Sequence, residues 1–301
     1  TLPNLAPTLI DHSQLGPWRD DLIASWLRLE EPFDFSMTLP RTAYLAAQRA
    51  GLKVVLDGVA GDVVLGEGSQ MARHLRAGQW RRAWRDAKGL QQFWGEGSES
   101  PAHQIAVAAR GAVVPGWLRL LRHRLRGKAP PPPLPRDHIL DPGFAARAHL
   151  IDSLIADRAG DRTRNMGFAE ERIWSWPRSG ITVGRERYDR IAADFGIEAR
   201  DPYMDLRVRT FCLSLPMDQF QADGWPKIIQ RRAMEGLLPD AVRWRRGKEH
   251  LGGTFTESLC RQWPGWADPI LAARTQLQGR ARADLAARND WRAEPVAPMT
   301  E

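Results

Sequence analysis

The sequence predicts an α/β remnant with a parallel sheet, followed by a mostly α-helical C-terminal lobe. Three observations carry this. Residues 53–58, KVVLDG, form a short apolar, β-branched run that stops at a glycine between two helical patterns. A glycine-rich loop follows it at once. Beyond the prolines at 130–133, nearly every segment reads as helix punctuated by glycine and proline.

In chain order, residues 16–50 read as helices with a break. Leu22, Ile23, Trp26, Leu27 and Leu29 line the first, which stops at Pro32, and LPRTAYLAAQRAGL makes the second, ending at Gly51. Residues 53–58 then give a buried parallel strand that feeds a loop, the arrangement in which ligands bind at the carboxyl ends of strands. Residues 71–94 return to helical spacing, and GWLRLLRHRLRGK (116–128) is an amphipathic basic helix. That helix presents either a solvated face over a packed one or a strip for peptide or RNA. It runs into Pro130–Pro133, which cannot continue a helix and act as a stiff spacer. The division is therefore a partial α/β core with helices over 1–127, a proline-rich spacer over 128–137 and a helical lobe over 138–301. Within the lobe, helices are expected at 141–160, 166–174, 184–196, 203–215, 225–236 and 255–288, with a frayed tail after them.

Composition narrows the function. The chain has 301 residues, enough for a sizeable core, and no apolar run nears the roughly 20 residues needed to cross a bilayer. The start, TLPNLAPTLIDHS, lacks the basic and apolar stretches of a signal peptide, so a soluble cytoplasmic protein is expected. Two cysteines, Cys212 and Cys260, make no disulfide framework and read as buried thiols. The seven histidines are scattered, which argues against an imidazole or thiolate metal site but not against magnesium held by carboxylate and phosphate. The net charge is +7, and only five of 43 basic residues are lysine, a bias that suits a GC-rich bacterial genome. A basic surface would attract a phosphate-rich cofactor or an acidic peptide.

Two stretches carry chemistry. The loop from Asp57 to Gly68 places Gly58, Gly61, Gly66 and Gly68 around Asp62. Such backbone can approach a ligand closely and offer N–H groups to an anion. A lone carboxylate there suits phosphate only with a cation between them, which points to magnesium; a tight turn with Asp62 capping the next helix is the other reading. The second stretch, 223–253, sets Lys227, Arg231 and Arg232 at helical spacing and carries RWRRGKEH (243–250) just before Gly252 and Gly253. Cations beside a glycine-rich turn suit a transferring phosphoryl group, or form a solvated basic face.

Together with FGIEARDPYMDLRVRTFCLSLP (195–216), these stretches resemble the synthetase domain of the asparagine synthase family, in order and spacing, across about residues 20–260. VVLDGVAGDVVLGEG is similar to that family's strand and loop, Leu-Ser-Gly-x-Gly-x-Asp-Glu-x-Phe-Gly-Gly. GWPKIIQRRAMEGLLPDAVRWRRGKEH is similar to its Lys-x-x-x-Arg, Leu-Pro, Trp-Arg-x-Lys run. Within the family the variants look most like the macrolactam synthetases (lasso cyclases) of lasso peptide pathways.

The resemblance implies an adenine nucleotide α-hydrolase-like fold and an AMP-forming ligase that uses ATP and magnesium. It implies adenylation of an Asp or Glu side chain of a precursor peptide, closed by the precursor's N-terminal amine into an isopeptide ring. Its partners would be the precursor peptide, a leader peptidase and a leader-recognition protein, with no nucleic acid and no membrane. By the same resemblance, Lys248 and Arg187 are catalytic. Asp57, Gly58, Gly61, Asp62, Lys227 and Arg231 bind the cofactor, and Asp62 is the magnesium ligand. Glu198, Arg200 and Asp205 match positions expected to form buried pairs linking helices.

The sequence departs from the family pattern in three places. Val59 replaces the Glu or Tyr that serves the nucleophile in asparagine and β-lactam synthetases. A peptide α-amine, with a pKa of about 7.7–8.0, is partly neutral near pH 7 and tolerates that loss. Val63 replaces a family Glu, leaving Asp62 the only acid before Glu67. The family's Ser-x-Gly-x-Asp-Ser ATP loop does not occur. It is expected to precede residue 1, and the 301 residues alone are expected to bind ATP weakly. The alternatives are an asparagine synthetase or other small-molecule amide ligase and, from another class, an ATP-incompetent basic partner-binding protein.

Overall fold

The computed structural model describes residues 6–28, 37–66, 68–95, 98–113, 125, 140–150, 152–153, 165–248, 251–263 and 265. The basic helix (apart from Leu125), the spacer at 128–137, the segment after 265 and the Cys260 side chain lie outside them.

The described residues are mostly helical, with a small parallel sheet. α1 (Arg19–Arg28) and α2 (Thr38–Arg49) pack together through Leu22, Trp26, Tyr44 and Leu45. α2 ends where the sequence places a glycine. Gly51, at φ +74°, donates to Gln48 O, and Leu52 N–H reaches back to Ala47 O. This closes the last turn through a left-handed residue.

β1 (Val54–Leu56) pairs in parallel with β2 (Glu198–Arg200), Val55 opposite Ala199. The partner strand therefore comes from beyond the spacer, and the elements on either side of 128–137 share one sheet. They also share a core: Val55 and Ala199 pack on a cluster that includes Ile191, Ala192 and Phe195 of α9 (Ser179–Asp194) and its C-terminal end. β1 is not the buried strand the sequence predicts, because Val54 is 39% and Leu56 69% exposed. Among the described residues, α2 and α9 cover one face of the sheet, and the side chains that alternate onto the other face meet solvent.

The helical pattern over 71–94 divides at Gly78, φ +69°, into α4 (Gln70–Arg76) and α5 (Trp80–Trp94), both packed on α6 (Pro101–Val113). α3 (Gly61–Leu65) lies between the sheet and α4, and α7 (Pro142–Arg147), α8 (Phe168–Ser175) and α10 (Leu206–Ser214) fall within or close to the expected helices. A second core joins Val64 and Leu65 of α3 to Cys212 of α10 and Phe220, with Phe168 and Ile229 against it.

The expected helix at 225–236 begins instead as a hairpin. β3 (Gln221–Ala222) pairs antiparallel with β4 (Trp225–Pro226) around Asp223 and Gly224, both at positive φ. Two consecutive left-handed residues make the turn that matches strand twist. Only α11 (Ile228–Ala233) remains helical there, followed by the short α12 (Asp240–Arg243). α13 (Leu251–Gln262) returns to pack on α2.

Glu198, Arg200 and Asp205 do not form buried pairs between helices. Glu198 and Arg200 pair with each other at 2.8 Å on the uncovered side of β2, more than half exposed. Asp205 caps α10, accepting from Arg207 N–H at 2.8 Å and pairing with its guanidinium at 2.7 Å. That guanidinium, with the backbone bond, holds the half-buried Asp205 carboxyl down to about 2. Glu198 and Arg200, two apart on a strand, share a face, so that pair satisfies itself locally.

Candidate functional site

Asp57 follows β1 and Asp201 follows β2, so the parallel strands end in two neighbouring carboxylates. Arg185 of α9 lies between them, 3.5 Å from Asp57 Oδ1 and 3.0 Å from Asp201 Oδ2. Asp201 is almost fully buried and is satisfied three ways, accepting also from Ala60 N–H and Tyr203 N–H at 3.0 Å each. Asp57 accepts from Val59 N–H at 3.2 Å, and the Tyr44 hydroxyl lies 3.5 Å from its other oxygen. Burial, then the charge on Asp57, pushes the Tyr44 phenol well above its ordinary value. These bonds pin the loop from Asp57 to Ala60 to both strands.

The loop turns directly into α3, whose first turn carries Asp62. The ring of Tyr203 lies so close to Gly61 that an added Cβ would sit 3.2 Å from a ring carbon, and Gln230 Nε2 donates to the Tyr203 hydroxyl at 2.6 Å. At the other end, a Cβ on Gly66 would meet the Asp62 carbonyl at 2.5 Å. Arg172 of α8, 4% exposed, donates to Gly66 O at 2.7 Å and to Val64 O, and its guanidinium lies over the Phe220 ring at 4.0 Å. A cation on the last carbonyls of a helix opposes their partial negative charge and fixes that end.

Asp62 does not cap its helix; its carboxylate faces two ammonium groups. Lys227 Nζ sits on Oδ1 and Lys248 Nζ lies 2.6 Å from Oδ2. Burial raises the Asp62 pKa and is the largest single influence, but the bonds and charges of the two lysines outweigh it and hold the carboxyl below its ordinary value. The linkage follows from that sign: the stability these pairs contribute is present above the unfolded carboxyl pKa. It is lost as pH falls through the lower folded value. All three side chains are a third or more exposed, so the contribution is small.

Lys227 adopts left-handed backbone, φ +54° and ψ 40°, between β4 and α11. A side chain there costs about 1–2 kcal/mol, which tertiary contacts must offset. The expected consequence is that Lys227→Gly is about 1 kcal/mol more stable than Lys227→Ala in urea denaturation, although both remove the ammonium. Equal stabilities would contradict the strain.

Of the residues the sequence singles out, Asp62, Lys227 and Lys248 meet directly, while Gly58, Gly61 and Asp57 shape the loop behind them. Arg231 does not reach Asp62: its Nε donates to Pro226 O at 3.0 Å and its Nη1 to Arg243 O. The arginine shown on the loop aspartates is Arg185, two positions before the expected Arg187, and side chains two apart on a helix point to different sides. Asp201, Arg185, Tyr44, Tyr203 and Arg172 escape the sequence reading. Helical phase could have found Arg185, which precedes Tyr188 and Ala192 on the core-facing stripe.

Among the described residues no three His, Cys, Asp or Glu side chains cluster as metal ligands. A magnesium–phosphate pair needs fewer: one carboxylate, phosphate oxygens and water suffice. Asp62 with two adjacent ammonium groups fits that requirement, since the lysines can turn to phosphate when a cation takes the carboxylate.

The sequence model of the asparagine synthase family matches residues 11–289. Asparagine synthetase [glutamine-hydrolyzing] 3 of Bacillus subtilis (strain 168) is 29% identical over 86 residues, which cover 29% of this chain and 13% of that protein's length. No solved structure matches.

Proposed function

Because the chain belongs to the asparagine synthase family, we propose that it serves a ligase that forms carbon–nitrogen bonds with ATP. The observation that carries this is the meeting of Asp62, Lys227 and Lys248, brought together from the glycine-rich loop and from the far end of the chain. In the proposed reaction a substrate carboxylate attacks the α-phosphorus of ATP, giving an acyl adenylate and pyrophosphate. An amine then displaces AMP and loses its proton, leaving the amide. Lys248 and Lys227 meet the negative charge that grows on the transferring phosphoryl group and on pyrophosphate as it leaves. Asp62 would hold magnesium, which neutralises the phosphate oxygens when bound. The Asp57–Arg185–Asp201 network and Arg172 fix the two ends of the Asp62 segment, so the carboxylate needs no reorganisation during the step. An ATP-pyrophosphatase-type fold agrees with a parallel sheet whose strands end at this loop.

The carboxylate and amine we propose are those of one precursor peptide, an Asp or Glu side chain and the N-terminal amine, joined in a lasso-type macrolactam. Val59 supports an amine nucleophile that needs no strong base, since its side chain has no group to accept a proton. The precursor, its leader peptidase and its leader-recognition protein would then be the partners. The likeness to a Bacillus asparagine synthetase favours a second reading, a small amide as product.

Asp62→Asn in the complete gene product tests the shared step. It is expected to abolish pyrophosphate release while circular dichroism stays unchanged, and wild-type release would overturn the assignment. Supplying the precursor peptide in one reaction and aspartate with ammonia in another separates the two products.

A further inference from the structure

The two lysines on Asp62 sit on different segments, Lys227 after the β3–β4 hairpin and Lys248 after α12, and one side chain joins those segments. Arg231 Nε donates to Pro226 O, the residue before Lys227, at 3.0 Å. Its Nη1 donates to Arg243 O and lies 3.4 Å from Arg245 O, three residues before Lys248. The guanidinium is clamped over Trp225 at 5.0 Å and Phe93 at 5.5 Å, and Trp225 in turn meets Trp244 edge-on at 5.2 Å.

We infer that Arg231 is a positioning residue that holds Lys227 and Lys248 at a fixed separation across Asp62. Three features support this over a ligand contact or a packing role alone. Its bonds go to carbonyls on both lysine-bearing segments and to no carboxylate. Its guanidinium is partly buried between two aromatic rings, and that burial, with the charge of Arg245, lowers its pKa. The left-handed backbone at Lys227 persists only if its surroundings over-determine it, and the bond to Pro226 O is the adjacent restraint. A rigid fork can bridge two carbonyls, whereas an ammonium is a single point charge.

Zero-length carbodiimide coupling tests the geometry without any assumed reaction. It joins a carboxylate to an amine already in contact, and mass spectrometry after proteolysis reads the Asp62–Lys227 and Asp62–Lys248 amides. Wild type is expected to give both. Arg231→Met and Arg231→Lys are expected to lower both yields several-fold with unchanged circular dichroism. Arg231→Lys keeps a cation over the rings and therefore decides the matter if Arg231→Met fails to fold. Wild-type yields in a folded variant, or no coupling in wild type, would overturn the inference.

A second arm rests on the proposed reaction: the turnover lost in Arg231→Lys should shrink in a Lys248→Ala background to the part exerted through Lys227. A purely structural role or a direct ligand contact predicts additive losses and would overturn it. An inactive wild type that still couples both lysines would count against the proposed reaction alone.

Discussion

Lys248→Ala is expected to lower turnover about a hundred- to a thousandfold, the usual effect of removing one donor aimed at developing charge, with a much smaller change in substrate affinity. The ammonium is 2.6 Å from Asp62 Oδ2 and half exposed, so it is already in place and free to turn toward phosphate. Charge on the phosphoryl oxygens grows as the carboxylate attacks, and an interaction stronger in the transition state than in the ground state acts on turnover. Gly247, at φ +74°, sets the turn that presents it. The neighbouring cations are employed differently. The Arg246 guanidinium lies 5.7 Å from the Trp225 ring centre, and Arg245 meets Arg231 through its backbone carbonyl, which alanine keeps. Arg246→Ala should therefore lose packing before rate, and Arg245→Ala should leave turnover close to wild type. Measuring turnover and affinity for all three variants decides the point, and a Lys248→Ala loss no greater than the other two would assign Lys248 to a solvated basic face.

The largest structural effect is expected at Gly224. This residue has φ +78° and packs directly on Gly89 of α5, where an added Cβ would lie within 2.6 Å of Leu90 N and closer still to Gly89 itself. The obstacle is backbone, so nothing flexible can yield. Left-handed strain and overpacking together predict that Gly224→Ala destabilises by roughly 2–4 kcal/mol. Gly89→Ala meets Asp223 and Gly224 from the other side, but gains about 1 kcal/mol of helix propensity, so its net loss should be smaller. Chemical denaturation of both variants tests the order. Because the hairpin leads into Lys227, residual activity in folded Gly224→Ala should also fall.

Several of these features were legible in the sequence, for local reasons. Gly51 after an amphipathic run announces the end of α2, and Val54–Val55–Leu56 before Asp57–Gly58 announces a strand feeding a loop. Asp62 could be singled out because a lone carboxylate among glycines is chemically conspicuous, whereas Lys227 stood out through its spacing from Arg231 and Lys248 through the family resemblance. What joins them could not. β2 is three residues, Glu-Ala-Arg, whose partner lies over 140 positions earlier. Asp201 before Pro202 reads as a turn residue, and only the fold shows it buried beneath Arg185. Asp223–Gly224 is a strong hairpin signal, yet its flanking strands are two residues each, too short to show alternation. Arg231 looked like a ligand for phosphate because its charge was visible and the carbonyls that engage it were not.

Carboxylate activation by adenylation at Asp62, Lys227 and Lys248 is open to a direct isotope measurement. The complete gene product is incubated with ATP, magnesium and the acceptor peptide, its Asp or Glu side-chain carboxylate enriched in oxygen-18, with labelled aspartate and ammonia run in parallel. Attack of that carboxylate on the α-phosphorus leaves one of its oxygens on AMP when the amine displaces the adenylate. Adenylation gives AMP carrying one oxygen-18 per amide formed, and unlabelled pyrophosphate. Label in inorganic phosphate, with ADP as the nucleotide product, would contradict it.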